Sequence, residues 1–200
     1  MNINIIKPND FTLLPWKNGL GHTTELAINQ GSSLEDFDWR LSIASVVTDG
    51  AFSNFSGYQR NLVLIEGNGL TLDHQNGTCD QLTKILDVAT FDGGCHTLGL
   101  LNQGGIKDFN IMTKKSTMTA KVKCYRDSQK IVINLNQGDL CFAYSLTNSL
   151  TVESLVANQS DRLVPLGCLV KILTLGHQEL TFNVKGENMI VVQLQTTSIK

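Results

Sequence analysis

The chain has 200 residues, enough for one domain or two small ones sharing a core. A hydrophobic fraction of 42% with 17% charged residues excludes disorder, which needs low hydrophobicity and high net charge. The formal charge of -2 excludes the basic excess of a nucleic-acid binder.

Met1 to Asp10 lacks a basic segment followed by an apolar run, so it does not read as a signal peptide. No apolar stretch is long enough for a membrane span, and Thr196 to Lys200 carries no lipidation signal. A cytoplasmic protein without membrane or nucleic-acid partners is the expectation.

Strand signals dominate. Trp39 to Val46 alternates with period two. Asn61 to Ile65 is a mostly apolar run that ends at Glu66-Gly67-Asn68-Gly69. Leu70 to Asp73 resumes it, and the pair reads as a hairpin. Further strands are expected at Ala120–Tyr125, Lys130–Leu135, Leu140–Leu146, Leu150–Leu155, Val170–Leu175, Glu179–Val184 and Asn188–Gln195. No window carries an amphipathic helical stripe. Many short strands punctuated by Gly and Asn turns predict an antiparallel sandwich or barrel. The segment Leu64–Leu72 resembles Leu173–Phe182 in its strand, turn, strand pattern, which hints at a duplication. The boundary between two β lobes falls near Lys114–Thr117, with no Pro, Gly or Ser linker, so tight packing is expected.

Chemistry-bearing residues crowd the first lobe, while the second half shows no cluster. Pro15-Trp16-Lys17-Asn18-Gly19-Leu20-Gly21-His22-Thr23-Thr24-Glu25 supplies a ring, a cation, an amide, hydroxyls and a carboxylate. An ordinary hairpin with Trp16 in the core is the plain alternative. In Phe37-Asp38-Trp39-Arg40-Leu41-Ser42-Ile43-Ala44, alternation puts Arg40, Ser42 and Ala44 on one face. Facing inward, Arg40 and Ser42 would suit an anion, because the guanidinium fork matches a carboxylate. Facing outward, they would be a solvated surface. A third cluster runs Gly50-Ala51-Phe52-Ser53-Asn54-Phe55-Ser56-Gly57-Tyr58-Gln59-Arg60. A fourth is Lys107-Asp108-Phe109-Asn110-Ile111-Met112-Thr113-Lys114-Lys115, where Asp108 and Asn110 share a face if extended.

No metal site and no cofactor are expected. His22, His74, His96 and His177 show no HxH or HxxxH spacing. There is no phosphate loop or nucleophile elbow. The five cysteines form no CxxC pair and read as free thiols. Cys95 beside His96 is the one hint of a reactive thiol.

The motifs PWKNGLGHTTE, FDWRLSIA, GAFSNFSGYQR, LIEGNGL and DFNIMTKK, in this order, resemble the HutD/Ves family of bacterial double-cupin proteins. The resemblance covers the first 115 residues in detail and the remainder only as β-rich sequence. It implies an all-β double cupin, two jelly-roll barrels in one chain, divided as 1–115 and 116–200. It also implies an accessory or regulatory role in histidine utilisation, with urocanate or formylglutamate as the ligand. Family members often carry a third glycine where Leu20 stands. Many cupins carry a His-x-His and Glu metal set; Phe52 to Glu66 has no histidine.

The expected function is metal-free binding of a small carboxylate metabolite. Arg40 would pair with the carboxylate and Trp16 stack on the planar part. Lys17 and Asn18 would add a cation and an amide. Thr24 or Ser42 would donate a hydroxyl, and Glu25 would orient Arg40 or read a ligand N–H. Arg60, Asp108 and Asn110 form a supporting layer. Two alternatives stay open. One is a small hydrolase, lyase or isomerase using Glu25, Asp108 or His22 as acid or base. The other is a structural or partner-binding protein with Arg40 in a buried ion pair. Exposed strand edges leave room for a homodimer, although no patch identifies an interface.

Overall fold

The computed structural model describes residues 1–16, 21–155, 160–174 and 179–197. The chain begins with β1 (Asn2–Ile6) and a 3-10 turn at Pro8–Asp10. There follow β2 (Thr12–Pro15), β3 (Gly21–Ile28), β4 (Trp39–Val46), β5 (Gly50–Ala51), β6 (Tyr58–Glu66) and β7 (Leu70–Asp73). Next come β8 (Cys79–Leu82), β9 (Val88–Asp92), β10 (Leu98–Leu101) and β11 (Ile106–Lys114). The rest is β12 (Met118–Tyr125), β13 (Gln129–Leu135), β14 (Leu140–Ser145), β15 (Leu150–Ser154), β16 (Arg162–Val164), β17 (Leu169–Leu173), β18 (Leu180–Gly186) and β19 (Met189–Thr196). Among the described residues no helix is long and apolar enough to cross a membrane.

Two compact units emerge. One comprises Phe11–Thr119 together with Thr197, the other Met1–Asp10 with Ala120–Thr196. The first ten residues therefore join the second unit, because β1 pairs antiparallel with β17 from Asn2↔Leu173 to Ile6↔Leu169.

Each unit is a sandwich of two sheets. In the first, the orders are β2-β3-β4-β11-β6-β9 and β5-β10-β7-β8. Its core joins Ala44, Val46, Leu62 and Leu64 from one sheet to Leu70, Leu72 and Leu82 from the other. In the second unit the orders are β1-β17-β14-β19-β12 and β13-β18-β15-β16. Cys141, Ala143, Val170, Ile172, Met189 and Val191 meet Ile133, Leu135, Val152, Phe182 and Val184 across that core. Inward residues alternate along each strand, as the pleat demands.

The sheet orders reveal a duplication. Adding eight to each strand number turns β9-β6-β11-β4 into β17-β14-β19-β12, and β5-β10-β7-β8 into β13-β18-β15-β16. The chain is thus two copies of one eight-strand topology, β4–β11 and β12–β19. Strands β2 and β3 are added beside β4, and β1 beside β17.

Two expectations need correction. The segments flanking Gly67-Asn68-Gly69 are not a hairpin: β6 and β7 lie in different sheets. The chain turns a tight corner there. A Cβ on Gly67 would sit 2.7 Å from the Gly105 carbonyl oxygen, and Gly67 and Gly69 both have positive φ. The hairpin forms one turn later, where β7 pairs with β8 from Leu70↔Leu82 to Asp73↔Cys79. The duplication is real in topology, but β6 and β7 correspond to β14 and β15, not to the strands around residues 173–182. Similar strand–turn–strand patterning recurs at every corner of such a fold, so local resemblance mispaired the copies.

Candidate functional site

Strands β3, β4, β11 and β6 are neighbours in the larger sheet of the first unit. Their registers stack the inward-facing residues in three rungs. The first runs Ile28, Arg40, Met112, Arg60 and Phe91. The second runs Glu25, Ser42, Asn110 and Leu62. The third runs Thr23, Ala44, Asp108 and Leu64. Leu62, Leu64 and Ala44 continue into the apolar core, so the polar groups share one chamber wall with it.

Arg40 is buried and donates from Nε to Glu25 Oε2 at 2.7 Å. Arg60 is buried among aromatic rings, its guanidinium carbon 5.1 Å from the Phe52 centroid, 5.1 Å from Phe91 and 5.9 Å from Phe55. Cation–π attraction and shape hold it there. Its Nη2 donates to Asn110 Oδ1 at 2.8 Å, and Asn110 Nδ2 donates to Asp108 Oδ1. Arg60, Asn110 and Asp108 thus form a buried polar chain. Among the described residues, Arg60 Nε and Asp108 Oδ2 end without hydrogen-bond partners.

Burial sets the charge states. It pushes the Asp108 carboxyl up to about 7, against the pull of the Arg60 charge and the Asn110 hydrogen bond. Burial also lowers Arg60 to about 10; the Asp108 charge opposes this and the Arg40 charge adds to it. Arg60 remains a cation at neutral pH, whereas Asp108 sits near half-ionisation.

Trp16 packs half-buried against the apolar core and donates from Nε1 to Thr23 Oγ1 at 2.8 Å. Gly21 makes room for it: a Cβ there would lie 2.9 Å from the indole and 2.5 Å from the Ser45 carbonyl oxygen. The Trp16 N–H donates to the Gly21 carbonyl at 3.0 Å. Lys17 and Asn18 lie outside the described residues.

The structure therefore brings Glu25, Arg40, Ser42, Arg60, Asp108 and Asn110 to one inner face. Thr24 is not on it. Thr24 pairs with Ile43, one residue out of phase with Glu25↔Ser42, so it belongs to the opposite face, and its neighbour Thr23 takes the inner position. Phe52, Phe55 and Phe91 line the Arg60 cage without having been assigned a role. Their available signal was two phenylalanines three residues apart just before an arginine. His22 lies away from the chain of polar contacts, with Nε2 3.3 Å from Ser45 Oγ at an exposed position.

The donor set does not suit a metal ion. Guanidinium groups cannot ligate, Glu25 is paired with Arg40, and Asp108 has one oxygen on Asn110 and offers only the other. Among the described residues no three His, Cys, Asp or Glu side chains converge on a metal position. All five cysteines are free thiols, and burial raises Cys141 to about 12.

Two copies of one all-β sandwich topology define a double-cupin protein, and comparison with solved structures agrees. Bacterial pirin YhhW from Escherichia coli, solved with nickel(II), shares the fold at a TM-score of 0.65 and 8% identity, with 96% of this chain and 98% of that one covered. The HutD family model matches residues 8–192, and the chain belongs to that family. A Pseudomonas putida relative described as an uncharacterized 21.2 kDa protein in the hutC 3' region is 31% identical over 167 residues, 84% of this chain and 85% of its own. Protein Ves of Escherichia fergusonii is 37% identical over 109 residues, covering 54% of this chain and 56% of that protein. HutD from Pseudomonas fluorescens SBW25 superposes at a TM-score of 0.82 with 26% identity, covering 98% and 100% of the two chains.

Proposed function

We propose that the first unit binds a small carboxylate metabolite against Arg40 and Arg60. One observation carries the reading. Two guanidinium groups lie on one buried sheet face, and among the described residues a single carboxylate, Glu25, forms an ion pair with either of them. The other inner acid, Asp108, is linked to Arg60 by hydrogen bonds through Asn110, and burial leaves it only about half-ionised at neutral pH. A buried site with excess positive charge is completed by an incoming anion. The unpartnered Arg60 Nε is a donor for it. The half-buried Trp16 ring supplies an apolar face for a planar ligand.

The family, and the hutC-region name of the Pseudomonas putida relative, support an accessory role in histidine degradation; urocanate and formylglutamate are the carboxylates we propose for it. A second reading has one observation in its favour. A carboxyl poised near 7 with a free oxygen is suited to general acid–base work, so Asp108 would be the proton carrier of a small enzyme acting on the same ligand.

Thermal shift with urocanate, formylglutamate, histidine and glutamate tests both readings, on wild type and Arg40→Lys, with and without EDTA. Binding predicts a shift for one carboxylate, insensitive to EDTA and reduced in the variant. No shift at millimolar ligand would overturn it. Consumption of the bound ligand, lost in Asp108→Asn, would select the enzyme.

A further inference from the structure

The second unit contains a groove of about 250 Å³ lined by Lys121, Lys123 and Tyr125 on β12, by residues of β13, and by Gln193 and Gln195 on β19. Tyr125 packs against the second core, as do Met189 and Val191. Period-two alternation puts Lys121 and Lys123 on the same side of β12 as Tyr125, and Gln193 and Gln195 on the same side of β19 as Val191, where the groove opens to solvent and both lysines and Gln195 are exposed.

The position is not arbitrary. Under the eight-strand duplication, β12, β13 and β19 are the counterparts of β4, β5 and β11. Strands β4 and β11 are those that carry Arg40, Ser42, Asp108 and Asn110 in the first unit. The second copy therefore carries polar residues on the corresponding strands, with different chemistry and open to solvent where the first copy's are buried. Lysines replace arginine, glutamines replace the Asp–Asn pair, and no carboxylate lines the groove.

The lysines are also uncommitted. Lys107, Lys114, Lys115 and Lys130 each reach a carboxylate. Among the described residues Lys121 and Lys123 reach none. The glutamines are fixed instead: Gln193 Nε2 donates to the Asn134 carbonyl at 3.0 Å, and Gln195 Nε2 to Asp139 Oδ2 at 3.0 Å. With their amide nitrogens engaged, their carbonyl oxygens are left as acceptors.

We infer that this groove is a second anion site, taking a short dicarboxylate that carries a hydroxyl or amino group. Two residues along a strand separate the ammonium-bearing side chains by roughly 7 Å. That span suits two carboxylates on a four- or five-carbon chain better than one compact phosphate. The glutamine oxygens read the donor on that chain. The inference stands independently of whether the first unit binds a carboxylate.

Amide-resolved NMR titration of the full chain tests it, with L-malate, succinate (which lacks the hydroxyl), acetate and inorganic phosphate as probes. Malate should perturb the amides around 121–125 and 193–195 saturably, and more tightly than the other three. Lys121→Gln/Lys123→Gln should weaken it about tenfold or more, as expected for losing charged hydrogen bonds. Arg40→Lys, in the other unit, should leave these shifts unchanged. Three results would overturn the proposal: no saturable shift at these amides, an undiminished shift in the double variant, or equal response to acetate and phosphate. The last would reduce the lysines to guards of an open sheet edge.

Discussion

Arg40 and Arg60 stand in one register, separated by the single residue Met112 on the strand between them. The Arg40 charge depresses the Arg60 pKa, so the two cations sense each other in the chamber. Their surroundings differ. Arg40 has a carboxylate, whereas Arg60 has rings and an amide. The pair therefore divides between an ion-paired guanidinium and one caged by rings.

Removing the carboxylate should expose that division. Glu25→Gln leaves Arg40 charged, buried and without its ion-pair partner. We expect a loss of about 2–4 kcal/mol in urea unfolding. Any carboxylate that binds the chamber should then recover more stability in the variant than in wild type, since it restores the missing charge. Equal ligand shifts in both proteins would show that Arg40 does not meet the ligand.

The aromatic cage predicts a difference between two replacements of Arg60. Arg60→Ala removes both the charge and the packing against Phe52 and Phe91, for a loss of about 3–5 kcal/mol. Arg60→Met keeps length and apolar contact and should be at least about 1 kcal/mol more stable than the alanine variant. Equal denaturation midpoints would mean the rings contribute little.

Asp108 gives the protein a pH signature. Its pKa is raised on folding from 3.8 to about 7, so between these values the native state holds a proton that the unfolded state has released. Stability from this group is complete below about pH 4 and falls as pH rises toward 7. Asp108→Asn should remove the slope, which is at most about 1.4 kcal/mol per pH unit. It should also raise the melting temperature at pH 8. Carboxylate binding should likewise weaken above pH 7, as Asp108 acquires charge. A variant whose stability follows the wild-type pH curve would place the titrating group elsewhere.

Gly21→Ala tests how closely the chain passes Trp16. The new methyl would meet a carbonyl oxygen at 2.5 Å, a backbone atom with little room to move. We expect a loss of about 1–3 kcal/mol and a change in tryptophan emission as the indole is displaced. Unchanged emission would show that the strand shifts instead of the ring.

Much of this architecture was legible in the sequence, for definite reasons. Trp39–Val46 and Leu70–Asp73 were delimited to the residue because turn residues bracket clear alternation. Strands β1, β2, β5, β8, β9, β10 and β16 were missed, being short or mixed in pattern, and the longer β3 and β11 were read as clusters of chemical groups and not delimited as strands. The face shared by Arg40 and Ser42 was readable, but not which way it pointed. Both faces of β4 are largely buried, so neither looks like a solvent face in the pattern. Thr24 was favoured over Thr23 because sequence alone gives no register, and one residue exchanges the faces. The Arg60–Asn110 contact joins residues fifty positions apart and has no local signature. In the second unit, Lys121 and Lys123 alternate with Val122 like any exposed edge strand, so the groove they line has no local signature.

The placement of β1 has a consequence for the order of events during synthesis. Asn2–Ile6 leaves the ribosome before every other strand described here, yet its partner is Leu169–Leu173. At about 5–20 residues per second, that partner follows roughly 10–30 seconds later. Strands β2 to β11 emerge in the interval with all of their sheet partners among themselves. Asn2–Ile6 is thus made well ahead of its partner yet is among the last strands to pair, and it waits without a sheet neighbour until β17 follows.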